Sequence, residues 1–404
     1  ILFGFAMPKF RSMQKLIDRM NLVSREIITG MPVIRTFGTE KYEEERFDKA
    51  NIKLTKTNLF VNRLMGIMMP SMMLVMNIIS ILIVWYGAKQ IDIGTLQVGT
   101  LLAFITYTMQ IIMSFLMISM VSVMLPRALV SLKRIKEILK KDISIKEPTN
   151  PIPFKETEKG IIEFKDVSFK YPDADEAMLK NISFKATPGT TTAFIGSTGS
   201  GKSTLINLIP RFFDATSGEI YVDGINIKDA SVTALRSRIG YVPQKGMLFS
   251  GTIKSNLMLG NDSLTDEEMI TAARVSQSLD FIKSKKGEFD SPISEGGSNV
   301  SGGQKQRLSI ARAIAKNPEI YIFDDSFSAL DFKTDATLRK ALFKHAKDAT
   351  ILIVAQRIST IMNADNIIVL NEGEIVGSGT HKELMKNCKI YQEIALSQLK
   401  EDEL

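Results

Sequence analysis

Cysteine and histidine are nearly missing from this chain: Cys388, His345 and His381 are all that 404 residues contain. A disulfide framework is excluded, a His/Cys zinc site is starved of ligands, and a reducing compartment fits. Charge is missing in a more pointed way. From Leu64 to Ala88, and again from Gly99 to Leu125, there is no Asp, Glu, Lys or Arg. At 1.5 Å per residue each stretch reaches roughly 37 Å, enough to cross ~30 Å of bilayer hydrocarbon with some tilt. Long-period repeats and low-complexity segments are absent as well, which excludes solenoid and fibrous architectures.

The charges that are present sit where membrane topology wants them. Lys41, Arg46, Lys49, Lys53, Lys56 and Arg63 precede the first uncharged stretch, and Arg127, Lys133, Arg134 and Lys136 follow the second. Both outer flanks are therefore cytoplasmic, with Lys89 to Val98 as a short external turn. The net charge of +7 is largely accounted for in this way, and no nucleic-acid partner is expected. The apolar opening Ile1 to Pro8 has no basic flank and reads as the tail of an earlier span. From Lys9 to Arg63 the pattern predicts two long cytoplasmic helices, broken near Gly30, Pro32 and Gly38.

Pro148, Pro151 and Pro153 mark a linker over 141–159, because none of them can continue a helix. From Gly160 onward short β-rich runs alternate with helical segments, the pattern of an α/β domain over 160–404. The fold expected is thus multidomain: a partial α-helical transmembrane domain over 1–140, then an α/β domain over 160–404.

Three motifs carry the chemistry. Gly196, Ser197, Thr198, Gly199, Ser200, Gly201, Lys202 and Ser203 match G-x-x-x-x-G-K-[ST] between an apolar strand and a helix-like run that starts with Thr204. Such a loop turns backbone N–H groups toward a phosphate, while its lysine neutralises charge and its serine ligates magnesium. Ile320 to Phe323 is a buried-strand pattern ending in Asp324 and Asp325, with Asp324 the magnesium-directing acid. Between the two lies Ser301, Gly302, Gly303 and Gln304, a weak signal alone but a strong one in this order.

This order resembles the ATP-binding cassette (ABC) transporters, in which SGGQ is the signature motif. The resemblance covers essentially the whole chain and looks like the C-terminal two-thirds of an exporter-type half-transporter. It implies a multi-pass subunit of the cell membrane whose α/β P-loop nucleotide-binding domain, with a helical subdomain, lies in the cytoplasm and uses ATP and Mg2+. It also implies that Tyr171 stacks on adenine, that Gln244 is the Q-loop glutamine reaching magnesium, and that Ser328 to Asp331 is the D-loop. The stretch from Glu26 to Phe47 is similar to an intracellular loop whose coupling helix lies near Gly30 to Gly38 and docks on a partner's nucleotide-binding domain.

Two positions depart from the family pattern. Asp325 stands where the family has a catalytic glutamate, and Gln356 where it has the switch histidine. Aspartate is shorter by about 1.5 Å, and misplacement of that order costs ~10²-fold in rate. Glutamine can hydrogen-bond a phosphate but cannot become a cation. The pattern resembles the degenerate-site subunit of a heterodimeric bacterial multidrug exporter, with an unequal ABC half-transporter as partner and slow hydrolysis through Lys202, Asp325 and Gln356. The alternative is a homodimeric exporter of peptides or lipids that uses Asp325 as its base. Met109, Met113, Met117, Met120 and Met124 fall on one helical arc, as do Met65, Met69, Met72 and Met76, and either stripe suits a wall for an amphipathic substrate or a contact with lipid.

Overall fold

The computed structural model describes residues 2–155 and 159–398, and divides into two compact units, Ile1–Lys141 and Asp142–Leu404. The first is helical throughout: α1 (Leu2–Phe37), α2 (Glu40–Asp92) and α3 (Val98–Leu139). At 1.5 Å per residue the 53 residues of α2 span about 80 Å, so a membrane-crossing part is continuous with a long polar part. Two segments pass the length and hydropathy test for a membrane span, one within α2 and one over Val98–Phe115, and neither is buried. Ile81, Trp85, Phe104 and Phe115 are all largely exposed, which a core helix of a soluble domain would not tolerate.

The expected breaks at Gly30 and Pro32 are not found. Helix α1 runs through both and ends at Phe37. Pro32 removes only its own N–H bond to the preceding turn, and on an exposed helix that loss is absorbed. The stop comes at Gly38, whose φ of +63° lets the Thr39 N–H reach back to the Ile34 carbonyl at 3.1 Å. Helices α1 and α2 then pack as an antiparallel hairpin, with Leu16, Val23, Ala50 and Val61 buried along the seam and Arg46 bridging Glu26 and Glu43.

In the second unit the segment after Lys141 is non-helical, as its prolines require, and it lies on the domain that follows. The Ile152 N–H donates to the Asp229 carbonyl at 2.9 Å, and the Arg238 guanidinium stands 4.8 Å from the Phe154 ring centre. The first strands, β1 (Ile162–Phe169) and β2 (Leu179–Ala186), pair antiparallel. After them come β3 (Thr191–Gly196), α4 (Lys202–Leu208), β4 (Ser217–Val222), β5 (Ile225–Asn226), α5 (Val232–Ser237) and β6 (Ile239–Val242). A mainly helical stretch follows: β7 (Gly251–Thr252), α6 (Ile253–Leu257), α7 (Asp266–Val275), α8 (Leu279–Lys283), β8 (Pro292–Ile293) and α9 (Gly302–Ala315). The chain then returns to the sheet with β9 (Ile320–Asp324), α10 (Phe332–His345), β10 (Thr350–Val354), α11 (Ile358–Ile361), β11 (Asn366–Asn371) and β12 (Glu374–Gly379), and closes with α12 (His381–Asn387) and α13 (Lys389–Leu396).

One sheet is antiparallel, in the order β2-β1-β4-β5; the other runs β12-β11-β3-β10-β9-β6 and is parallel except at its β12 edge. Strands β9 and β10 are buried at every position, which is why their sequences are continuous apolar runs rather than alternating ones. Side-chain alternation divides the core in two. Ala193, Ile195, Tyr321, Phe323, Ile351 and Ile353 join α9 on one face, while Phe194, Ile320, Ile322, Leu352 and Val354 join α4 and the antiparallel sheet on the other. The central parallel strands thereby end side by side, with Phe194, Val354 and Asp324 in register and Val242 paired with Phe323. Ligands in open parallel sheets bind beyond such carboxyl ends.

Candidate functional site

Each chemistry-bearing segment leaves the carboxyl end of one of these strands: the P-loop after β3, Gln244 after β6, Asp324 and Asp325 at the end of β9, and Gln356 after β10. The P-loop is cramped by design. A Cβ on Gly196 would lie 2.0 Å from the Leu370 carbonyl oxygen of β11, so only glycine fits where the strand turns into the loop. Lys202 is buried, and its Nζ donates to the carbonyls of Gly196 at 2.9 Å and Ser197 at 2.7 Å and to Ser200 Oγ at 3.3 Å. Loss of hydration pushes this ammonium below the usual lysine range, with the nearby carboxylates of Asp325 and Asp324 pulling it back.

Ser203 Oγ donates to Asp324 Oδ1 at 2.8 Å, joining the P-loop to the end of β9. Burial raises the Asp324 carboxyl, the Ser203 bond opposes the rise, and the Asp325 charge adds to it. Among the described residues no three His, Cys, Asp or Glu side chains converge as a metal cage. A hydroxyl and one carboxylate fit magnesium nonetheless, because that ion takes few protein ligands and completes its shell with phosphate oxygens and water.

Asp325 is held tightly. Its backbone is left-handed at φ +46°, a conformation that costs a non-glycine residue ~1 kcal/mol. Its N–H donates to the Val354 carbonyl at 2.9 Å and its carbonyl accepts from Ser328 Oγ at 2.9 Å, so both neighbouring segments fix it. Oδ2 accepts from the Gln356 amide at 2.8 Å and from the Gln244 amide at 3.3 Å. Burial raises this carboxyl too, against the lowering effect of the Gln244 bond and of the nearby Ser328 hydroxyl.

Tyr171 lies at the rim, half-buried, its hydroxyl 3.1 Å from Thr204 Oγ1 and its ring at right angles to Phe169 and Phe213. Ser301 caps α9: its Oγ accepts from the Gln304 N–H at 3.3 Å, and Gln304 Oε1 accepts from the Ser301 N–H at 3.2 Å. The side chain of each of these two signature residues is thus bonded to the backbone N–H of the other. Gly303 faces the D-loop, where a Cβ would meet the Ala329 carbonyl at 3.5 Å. Asp331 ends that loop by capping α10 through the Thr334 N–H at 3.0 Å.

Sequence reasoning passed over two buried amides. Asn256 exchanges hydrogen bonds with both backbone groups of Phe249 at 2.8 Å, and Gln306 bonds both ends of the segment carrying Gln244. Their sequence signal is a polar residue at a core-facing position: Asn256 beside the buried Leu257, and Gln306 two residues before the buried Leu308.

Membrane-length helices and a parallel-sheet domain with a P-loop, a strand-end aspartate and an intact SGGQ cap define a membrane-bound P-loop ATPase. Comparison with known proteins makes this specific. Residues 179–328 match the ABC transporter family model, and residues 2–115 match that of the ABC transporter transmembrane region. An uncharacterized ABC transporter ATP-binding protein of Mycobacterium tuberculosis is 44% identical over 395 residues, which cover 97% of this chain and 68% of that protein. A Staphylococcus aureus ATP-binding/permease protein named for multidrug export is 38% identical over 394 residues, 98% of this chain and 68% of its own. The ATP-bound structure of a bacterial Atm1-family ABC exporter superposes with a TM-score of 0.84 at 29% identity, covering 99% of this chain and 70% of that one. The chain belongs to the ABC transporter family, as a half-transporter homologous to the ATP-binding/permease proteins of exporters.

Proposed function

We propose that this subunit takes part in ATP-driven export of amphipathic or hydrophobic compounds and carries the slow ATP site of a heterodimer. The observation behind the reading is the Asp325–Gln356 pair. The residue at the end of β9 is one methylene short of the family's base, and its partner across 2.8 Å is an amide rather than an imidazole. An amide fixes a carboxylate but neither accepts its proton nor becomes a cation, so the pair orients without relaying. The residues that hold ATP keep the family pattern: Lys202 and the P-loop backbone for the phosphates, with Tyr171 at the base. Ser203, Asp324 and Gln244 would hold Mg2+, which supplies charge neutralisation to the phosphates.

On this reading the subunit's larger contribution to turnover is its signature. The capped start of α9, with Gly302 and Gly303 exposing backbone N–H groups, completes the ATP site of the opposite subunit. Closure of the two nucleotide-binding domains is passed to the spans through the α1–α2 hairpin, in which the C-terminal end of α1 carries the exposed Ile28, Val33 and Phe37. Support for amphipathic cargo comes from the largely exposed Met113, Met117 and Met124 on α3 and from the name of the Staphylococcus relative. The experiment is the subunit composition of the complex purified from its own membrane through a tag on this chain. Recovery of a second, unequal ABC subunit supports the reading. A complex of identical chains makes Asp325 the base of both sites and overturns it.

A further inference from the structure

The geometry points to Gln306 as a positioning residue that ties the signature helix to the Q-loop, so that the state of this chain's own ATP site is transmitted to the signature it offers its partner. The inference rests on the roles proposed above for Gln244 and for α9. Gln306 lies two residues beyond Gln304, is 3% exposed, and has both ends of its amide engaged. Oε1 accepts the Gly246 N–H at 2.9 Å, and Nε2 donates to the Pro243 carbonyl at 3.3 Å. The segment Pro243 to Gly246 is thus gripped on both sides of Gln244. Gln244 in turn donates to Asp325 Oδ2 at 3.3 Å, and Asp325 accepts from Gln356. Hydrogen bonds at both ends of the short Pro243 to Gly246 backbone, with that of the Gln244 side chain, therefore connect α9 through the Q-loop to the acid beside the P-loop.

The contact between loop and helix leaves little slack. A Cβ on Gly246 would sit 2.9 Å from Gln306 Oε1, 2.9 Å from Ser309 Oγ and 3.1 Å from the Lys305 carbonyl, so the loop cannot slide across α9 without moving it. Ser326 Oγ donates to the Val242 carbonyl at 2.9 Å, pinning the other end of the loop to the turn that carries Asp325. Packing alone would be served by an apolar residue at 306. A buried amide with donor and acceptor both spent on one loop is a directional connector, and breaking either bond leaves a buried polar group unpaired. When Gln244 leaves Asp325 for the metal, the displacement of Pro243 to Gly246 is passed through Gln306 to the first turns of α9, where Ser301 to Gln304 lie.

A purely structural amide and a coupling amide differ in one observable, the interaction between positions 244 and 306. The test is a double-mutant cycle on steady-state ATP turnover of the full-length subunit in its assembled complex, in lipid nanodiscs. Gln244→Ala is measured with Gln306 intact and with Gln306→Leu, each variant checked for assembly and thermal melting. Gln306→Glu, which keeps an acceptor for the Gly246 N–H, replaces Gln306→Leu if the latter does not assemble. The expected result is that Gln244→Ala lowers turnover about 5-fold when Gln306 is present and by less than about 1.5-fold when it is replaced. Equal losses in both backgrounds overturn the coupling and leave Gln306 a packing residue. No effect of Gln244→Ala with Gln306 intact overturns the role proposed for Gln244, and the coupling with it.

Discussion

Lengthening the acid at position 325 probes the slow-site reading proposed for this chain. In Asp325→Glu the carboxylate advances by about 1.5 Å from a backbone that the Val354 carbonyl and Ser328 hold in place. A misplacement of this size costs ~10²-fold in rate, so its correction should raise turnover at this site by about 10- to 100-fold. Gln356, now 2.8 Å from Oδ2, would still orient the acid without relaying a proton, which keeps the gain at the lower end. Adding Gln356→His should carry it further. The side chain is only 8% exposed, so the extra methylene costs stability of about 1–3 kcal/mol by overpacking, and a thermal melt must accompany the kinetics. The assay is phosphate release by the assembled complex whose partner site has been silenced at its own P-loop lysine. If turnover of a folded Asp325→Glu complex does not rise, chain length at 325 does not limit this site and the reasoning fails.

Three further outcomes follow from the geometry. Ser203→Ala removes the hydroxyl 2.8 Å from Asp324 and should weaken magnesium-dependent ATP binding by about 10-fold or more while sparing metal-free nucleotide binding. The Asp324 carboxyl is raised by burial, so protons should displace Mg2+ at a higher pH than an ordinary aspartate allows. In the nucleotide-free protein the stability linked to that raised group is present below the usual aspartate range and is lost as pH rises above that range, through the raised titration of the folded state; calorimetry across pH reads both effects. Arg339→Met tests the segment behind the site. Arg339 makes paired bonds to Asp335 at 2.9 and 3.0 Å and donates to the carbonyls of Ser359 and Thr360, linking the D-loop helix α10 to α11 after Gln356. Both charged side chains are nearly buried, so removing the cation should destabilise the domain by about 3–5 kcal/mol, roughly 10 °C in Tm.

What the sequence revealed and what it hid divide by range. The P-loop is eight consecutive residues between a strand and a helix, and the apolar runs of β3, β9 and β10 are uninterrupted, so local pattern sufficed for both. The continuity of α1 was not legible, because Gly30 and Pro32 read as breakers while the stop depends on a single positive φ at Gly38. The meeting of Gln244, Asp325 and Gln356 on one carboxylate oxygen joins residues far apart in the chain through the order β10-β9-β6, which no spacing encodes. Gln306 stayed hidden for the same reason. Its partners lie some sixty residues upstream, and a glutamine on a basic helical stretch looks like a solvated one until the loop is seen lying on it.

The most direct measurement is the steady-state ATP turnover of the assembled complex carrying Asp325→Asn, a change that removes the carboxylate and almost no volume. If this chain's site holds ATP and the partner's site turns it over, at least about half of the turnover remains, because the signature at Ser301 to Gln304 is untouched. A near-total loss would make Asp325 the working base and contradict the account.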